Sequence, residues 1–516
     1  MKVGLVFGLL AIAVNASNNN TAWQVRECSR FAASIHNTGD IGDVAILNSS
    51  HIPESSVNVS GTLNTIPLCR LFGKVPYPKN NSVIFELWLP TAVKFNGRFL
   101  VVGNGGMAGT IDEGNVILNL NKGYAVAGGD AGHLASQNNA GYGAPGVYLP
   151  YMHDEEQVKA WIHNSIAYFT PVARKMTTVF YRKAPKHSYY EGCSTGGAQG
   201  FALAQFHPHL FDGIVAGCPG NWYSHLALSF LWNAQVTRGS NSLPQTALDL
   251  ITQAVIRKCD TIDSVKDGVL ENPLLCPFNV SSLECEPSET NSSACLTPAQ
   301  VSTAKQIYTG PVDLRSNSSL YPGFSVGGET EWIMQEGDLA DAFSIPILQN
   351  MVFNNLTYDP LSFNWGTDID AVNEKVGTFI DEISPDLSAL KATGAKMIVF
   401  QSWTDPYNAA TWPIKHLGQI ENFFNGDVSD WFRLFMIPGG GHCGAATKYP
   451  QVPAVWHALD ALVQWVETGQ PATEMLGTSP TDKNLWNKTS KLCPWPQTAK
   501  FRGGDPNDWN SFECDA

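Results

Sequence analysis

A serine flanked by glycines is the first feature of this chain that could do chemistry. Residues 192–196 read Gly-Cys-Ser-Thr-Gly and match the pattern G-x-S-x-G, in which a serine on a sharp turn attacks an acyl group. Such a turn is strained and crowded, so small residues must stand beside the serine. We interpret Ser194 as a candidate nucleophile for acyl transfer. The alternative is a glycine-rich turn without chemistry.

Two later residues could complete this site. A serine hydroxyl is a weak nucleophile at neutral pH, so it needs a histidine as general base and an acid that orients the ring. Where G-x-S-x-G is used, the acid and the histidine follow in that order, each after a strand. Asp405 follows the apolar segment 396–401, and His442 follows the apolar segment 433–438. This order predicts a triad of Ser194, Asp405 and His442.

The negative oxygen that develops on a reacting ester would need backbone N–H donors. The residue after the nucleophile, Thr195, is expected to supply one of them. The glycine-rich segment 102–106, which follows an early apolar run, is expected to supply the second. Within that segment we favour Gly106 over Gly105 as the donor.

A cysteine adjoins both the nucleophile and the base. Cys193 precedes Ser194, and Cys443 follows His442. If the serine and the histidine meet, the two sulfur atoms become neighbours, and in an oxidising compartment they form a disulfide. The alternatives are two unrelated buried thiols, or a thiol mechanism in which Cys193 is the nucleophile.

Short apolar segments alternate with helical patterns along much of the chain. Residues 98–103, 188–192, 396–401 and 433–438 are rich in β-branched or aromatic residues and end in glycine or polar residues, which is typical of buried strands. Residues 155–178 carry apolar side chains at helical spacing. The alternation predicts a largely parallel sheet covered by helices.

The region 221–386 differs from the rest of the chain. It contains four cysteines and few strand signals, and it lies between the second and third of the predicted strands. We interpret it as an inserted lid domain. The predicted organisation is therefore a signal peptide over residues 1–16, a catalytic domain over residues 17–220 and 387–516, and a lid over residues 221–386.

The amino-terminal residues have the plan of a signal peptide. One lysine is followed by a short apolar run and a small residue, Ala16, at the expected cleavage point. The run is too short to span a bilayer, and no later stretch is long and charge-free enough, so we expect no membrane anchor. Asn-x-Ser/Thr acceptors, which mark surface positions of exported proteins, occur at Asn19, Asn48, Asn58, Asn80, Asn279, Asn291, Asn317, Asn355 and Asn487.

Charge and cysteine content narrow the class of protein further. The net charge of −14 over 516 residues disfavours nucleic acid or an anionic membrane as a partner, because both need basic patches. The 11 cysteines fit an oxidising compartment and leave at least one thiol unpaired. These features favour a secreted, extracellular protein. They do not predict its oligomeric state.

The motifs together resemble the fungal tannase and feruloyl esterase family. Its signature is Cys-Ser, Asp and His-Cys with a disulfide beside the triad, and the segments 192–197, 441–444, 103–106 and 211–217 match it over nearly the whole mature chain. The resemblance implies an α/β-hydrolase core, a lid domain and hydrolysis of phenolic acid esters.

The same resemblance implies a structural calcium ion in the lid. The segment 259–269 places three carboxylates within eight residues, together with a glycine, and this suits a hard cation that prefers oxygen ligands. By the resemblance, side chains of three aspartates and backbone carbonyls of two valines would bind Ca²⁺. These ligands are Asp260, Asp263, Asp267, Val265 and Val269.

Proximity along the chain and the resemblance also suggest how the other cysteines pair. The expected pairs are Cys259–Cys276, Cys285–Cys295, Cys28–Cys69 and Cys493–Cys514. This leaves Cys218 as a free thiol, which we expect to be buried and inert.

The resulting prediction is a secreted serine esterase that releases hydroxycinnamic acids such as ferulate from plant cell-wall polysaccharide esters, with no organic cofactor. A tannase acting on galloyl esters is the nearest alternative, and a catalytically inactive binding protein of the same fold is the second. The acyl pocket would decide between the two esterases, and its candidate residues are Trp222, Tyr223 and residues around Trp332 or Phe353.

Overall fold

The computed structural model describes residues 28–31, 35, 42–137, 143–286 and 294–515. The signal-peptide prediction and the acceptors Asn19 and Asn291 lie outside the described residues. The chain forms two compact units, of which the first draws on residues 1–102, 110–132 and 165–189, and the second on residues 103–109, 133–164 and 190–516.

The first unit contains five strands of a sheet. They lie in the order β1-β2-β3-β5-β4, with antiparallel pairs from β1 to β5 and a parallel pair between β5 and β4. The antiparallel strands were not anticipated from the sequence, whereas the strand after residue 98 was. These strands are β1 (Ala45–Ile52), β2 (Leu68–Tyr77), β3 (Asn81–Pro90), β4 (Arg98–Val102) and β5 (Ala125–Gly129).

Four further strands end in the second unit and lie in the order β6-β7-β8-β9. β7, β8 and β9 pair in parallel, as the sequence predicted for β8 and β9. Because parallel strands end at one edge of a sheet, the loops after them are brought together. These strands are β6 (His187–Cys193), β7 (Gly213–Gly217), β8 (Lys396–Ser402) and β9 (Phe432–Ile437).

The segment between β7 and β8 is mostly helical and has its own apolar core. Leu248, Ile251, Val301 and Trp332 are almost fully buried there in one cluster. The lid boundaries at residues 221 and 386 stay a prediction. The α-helices of this segment are Tyr223–Val236, Gln245–Cys259, Pro298–Thr309, Ile345–Ile347, Thr367–Val372, Thr378–Ile380 and Ser388–Thr393, and its strands are Val312–Asp313 and Ser318–Ser319.

Further helices cover the sheet, and small antiparallel sheets follow β9. Apolar residues on one side of each long helix are buried, as amphipathic helices require. The helices are Glu113–Asn121, Glu155–Lys159, Ser165–Tyr181, Thr195–Phe206, Thr411–Phe424 and Ala458–Thr468. The short strands are Asn58–Val59, Thr62–Leu63, Pro453–Trp456, Met475–Pro480, Ser490–Leu492, Thr498–Phe501 and Phe512–Asp515.

Candidate active site

Ser194 occupies the strained turn that the motif predicts. It lies between β6 and the helix Thr195–Phe206 with φ 64° and ψ −121°, a conformation that costs energy for any residue other than glycine. The turn is fixed because Ser194 N donates to Gly217 O at 2.9 Å and Gly220 N donates to Ser194 O at 3.2 Å. A side chain at Gly196 would approach Asn104 O to 2.9 Å, which explains the glycine.

Asp405 and His442 form a hydrogen-bonded pair. The Nδ1 atom of His442 lies 2.8 Å from Oδ2 and 3.0 Å from Oδ1 of Asp405. The carboxylate is fully buried, whereas 14% of the histidine side chain is exposed. The acid is thus shielded from water while the base reaches the surface. The ring of Tyr407 stacks on the imidazole with centroids 4.3 Å apart and limits its rotation.

Several neighbours hold Asp405 in its ionised form. Burial alone would raise the pKa of this carboxyl, but the charge and hydrogen bond of His442 outweigh it and the pKa lies below its usual range. The backbone N–H groups of Tyr407 and Asn408 donate to Oδ1 at 2.8 and 3.1 Å, and Gln401 Nε2 donates to Oδ2 at 3.0 Å. An ionised carboxylate in this position stabilises the imidazolium that forms when His442 takes a proton.

A disulfide ties the loop of the histidine to the loop of the serine. Cys193 and Cys443 are bonded, with Cα atoms 5.9 Å apart across 250 residues of sequence. Among the described residues the Ser194 hydroxyl makes no hydrogen bond. A hydrogen bond from this hydroxyl to His442 Nε2 would therefore have to form when substrate binds, as is common in enzymes. With Cys193 in a disulfide, the structure offers no support for a thiol mechanism there.

The two predicted oxyanion donors lie side by side. Thr195 Oγ1 donates to Gly106 O at 2.7 Å, and Tyr223 Oη donates to the same carbonyl at 3.5 Å. Holding the Gly106 carbonyl in this way fixes the peptide units of the loop. Thr195 begins a helix, where N–H groups lack intrahelical acceptors, so its own N–H is available for an anion.

Gln199 anchors the same loop from the helix and was missed by sequence reasoning. Its Oε1 accepts from Asn104 N, and its Nε2 donates to Asn104 Oδ1, both at 3.0 Å. A fully buried glutamine among alanines, glycines and leucines was the available signal, because such a side chain must find partners.

The structure gives the candidate pocket residues different surroundings. Tyr223 contacts the oxyanion loop, as described above. Trp332 itself is buried in the apolar core of the helical segment, and whether its neighbours line the acyl pocket stays a prediction. Trp222 packs against Trp412 with ring centroids 4.6 Å apart, and Phe353 stacks on Tyr358 at 4.0 Å.

All five expected disulfides are formed. The pairing therefore agrees with the sequence analysis, and Cys218 is the buried free cysteine that remains among the described residues. The other four bonds are Cys28–Cys69, Cys259–Cys276, Cys285–Cys295 and Cys493–Cys514.

The predicted calcium loop has a suitable set of donors but also a competing cation. Each aspartate uses one carboxylate oxygen to accept a backbone N–H, of Gly268, Val265 and Val269 in turn, which leaves the second oxygen for a ligand. Burial and the nearby charges of Asp267 and Asp260 raise the pKa of Asp263 to about 6.

The competing cation is Lys488, whose Nζ lies 3.5 Å from Asp267 Oδ2. The ligand atoms of the three aspartates do not form a cluster within 4.8 Å in the described part of the chain, whereas Cys218, Asp405 and His442 do. The donor chemistry fits Ca²⁺, provided that the loop contracts around the ion and Lys488 withdraws.

Several esterases resemble this chain in sequence and in overall structure. The feruloyl esterase C of Talaromyces stipitatus is 30% identical over 87% of this chain and 85% of its own length. A protein of Aspergillus terreus named as a probable feruloyl esterase B-1 is 27% identical over 100% of both chains. The crystal structure of feruloyl esterase B from Aspergillus oryzae, 25% identical, superposes with a TM-score of 0.82 over 95% of this chain and 100% of that one.

These similarities confirm the predicted α/β-hydrolase-type fold and identify the chain as a carboxylic ester hydrolase of the serine type. No helix in the described part of the chain has both the length and the apolar character needed to cross a membrane. A family model described as tannase and feruloyl esterase matches residues 69–515, so this chain belongs to the tannase and feruloyl esterase family.

Proposed function

We propose that this chain is a secreted esterase that releases hydroxycinnamic acids such as ferulate from esters with plant cell-wall polysaccharides. The observation that carries the proposal is the disulfide Cys193–Cys443, which joins the elbow of Ser194 to the loop of His442. The names of the relatives support the choice of feruloyl esters.

In the proposed mechanism, His442 Nε2 takes the proton of the Ser194 hydroxyl as the oxygen attacks the ester carbonyl. Asp405 stabilises the imidazolium through Nδ1. The N–H groups of Thr195 and Gly106 hold the oxyanion, and loss of one such donor typically costs about 3–4 kcal/mol of transition-state stabilisation. The imidazolium then protonates the leaving alcohol, and water, activated by the same base, releases the acid from the acyl-enzyme.

The location outside the cell is part of the proposal. The acceptor asparagines within the described residues are all exposed, as glycosylation requires. Five disulfides are typical of an oxidising compartment. The described acceptors are Asn48, Asn58, Asn80, Asn279, Asn317, Asn355 and Asn487.

We also propose that Asp260, Asp263 and Asp267 bind one Ca²⁺ through side chains, with Val265 and Val269 contributing carbonyl oxygens. The ion would hold the loop in one conformation, and no reaction step depends on it. Removing calcium with a chelator is expected to lower Tm while leaving the ester chemistry intact at low temperature, and an unchanged Tm would contradict the site.

A hydrolysis panel of methyl ferulate, caffeate, p-coumarate and gallate tests the substrate class. Hydrolysis of the first three with little activity on gallate is the expected result, whereas activity on gallate alone would make the chain a tannase. A fluorophosphonate should label the wild-type protein and fail to label S194A. Absence of an adduct on the wild-type protein would support the alternative of a catalytically inactive binding protein.

A further inference from the structure

A groove far from Ser194 in sequence has the composition of a saccharide site. It lies between residues 484–489 and 505–510, with a cavity volume of about 560 Å³. Trp486 and Trp509 both line it, and Trp486 is 69% exposed. Among the described residues Trp486 is the most exposed aromatic side chain, and it shares the groove with a second tryptophan and several polar groups instead of standing alone on the surface.

The rest of the groove is lined by carboxylates and amides. Asp505 and Asp508 each use Oδ1 to accept a backbone N–H, from Asn507 at 2.9 Å and Asn510 at 3.0 Å. Their Oδ2 atoms have no protein partner among the described residues, so they remain as acceptors. Aromatic faces beside fixed acceptors match the two sides of a sugar, which presents C–H groups on its ring face and hydroxyls at its edge.

The groove is also held in a fixed shape. Thr489 N donates to Asn507 O at 2.9 Å, and Trp509 N donates to Thr489 Oγ1 at 2.9 Å, so its two sides are hydrogen-bonded to each other. The disulfide Cys493–Cys514 lies just beyond these segments in the chain. A preformed groove loses little entropy when it takes a ligand.

The chain itself offers an attachment point for one saccharide in this groove. Asn487, in the acceptor tripeptide Asn-Lys-Thr, is exposed, is itself a lining residue and directly follows Trp486. We propose that the N-linked glycan of Asn487 occupies the groove, with its first N-acetylglucosamine against the indole of Trp486. Attachment makes the contact intramolecular, with an effective concentration on the order of millimolar, so a weak saccharide site fills with its own glycan before any free sugar.

A glycan in the groove should also affect the segment of chain next to Asn487. Lys488, next to Asn487, is buried and lies 3.5 Å from the carboxylate of Asp267 in the acidic loop. A glycan that packs in the groove restrains the segment that carries Lys488. The inference rests on export of the chain, which is part of the proposed function, but it does not depend on esterase activity.

The test is a double-mutant cycle on protein secreted by a glycosylating fungal host. The variants are N487Q, W486A and the double variant, with N48Q as the matched control because Asn48 is an exposed acceptor on β1 outside the groove. Peptide mass spectrometry measures occupancy of Asn487 in each sample. Thermal unfolding gives Tm, and the esterase assay of the same samples reports the proposed function separately.

N487Q is expected to lower Tm by ~1–3 °C in the wild-type background and by much less in the W486A background, with N48Q neutral in both. Esterase activity should not change. An unglycosylated Asn487, or equal effects of N487Q in both backgrounds, would overturn the proposal. Binding of free xylo-oligosaccharides in the groove of the fully glycosylated protein would overturn it too, since that result requires an open groove.

Discussion

The thiol sulfur of Cys218 lies within 4.8 Å of the sulfur of Cys443, which is bonded to Cys193. The free thiol is therefore close enough to exchange with the disulfide that joins the serine and histidine loops. Burial, and then the charge of Asp405, raises the pKa of the Cys218 thiol. Because the thiolate is the attacking species, exchange is slow while this packing persists.

We expect C218S to slow irreversible inactivation several-fold at pH 9 and raised temperature. Exchange would form a bond from Cys218 to one half-cystine and release the other as a thiol, and serine removes this route. Residual activity over time, with disulfide mapping of the inactivated protein, measures the effect. Identical inactivation rates for wild type and C218S would show that exchange is not the route.

Removal of the disulfide Cys193–Cys443 should disturb the positioning of His442 relative to Ser194 and should lower the stability of the fold. We expect the C193A/C443A variant to lose more than ~100-fold in kcat/KM, because the base is no longer tied to the nucleophile. By loop entropy its free energy of unfolding should fall by up to ~5 kcal/mol. C285A/C295A, which opens a separation of only 10 residues, is the control and should keep its activity. Full activity of C193A/C443A would contradict the assigned role.

Thr195 is expected to act as a positioning residue through its side chain. T195V removes the hydrogen bond to the Gly106 carbonyl and should lower kcat roughly tenfold with KM nearly unchanged, because the oxyanion donors matter most in the transition state. T195S keeps the hydroxyl and should restore most of kcat. A rise in KM without a fall in kcat would point to substrate binding instead.

Asp130 should make stability depend on pH. Burial raises its pKa to about 7, against about 3.9 in an unfolded chain. The folded state therefore favours the protonated form, and this contribution to stability is present below about pH 4 and is lost as pH rises to about 7. The full contribution of Asp130 to the free energy of unfolding is ~4 kcal/mol at most, because its pKa differs by about three between the folded and unfolded states.

D130N keeps the Oδ1 that accepts from Ile84 N and Gly132 N but cannot ionise. Urea unfolding at pH 4.5 and pH 8 should show a smaller loss of stability with pH in D130N than in wild type. D43N, at an exposed position, is the control and should behave as wild type. An equal pH dependence in D130N and wild type would refute this prediction.

Gln401 and Trp332 illustrate why part of the site could not be foreseen. Gln401 donates a hydrogen bond to Asp405, four residues further along the chain. The sequence predicts only a strand followed by a loop there, and this contact depends on how the loop folds. Trp332 is one of 15 tryptophans, and an aromatic residue suits a core and a pocket equally well. Its burial depends on which helices pack around it.

The sequence by itself determined the features that depend on local geometry and chain order. The glycines around Ser194 reflect the limited space at one turn. Asp405 and His442 each follow a predicted strand, in the chain order of acid and then histidine that accompanies the serine motif. Among the disulfides only Cys193–Cys443 could be inferred in this way, because the other four pairs rested on proximity along the chain and on the family resemblance. Only the tertiary structure decided that Thr195 holds Gly106, that Cys218 lies beside the disulfide and that Trp486 and Trp509 share a groove. Those contacts join residues far apart in the chain, and packing fixes their distances, whereas sequence spacing does not.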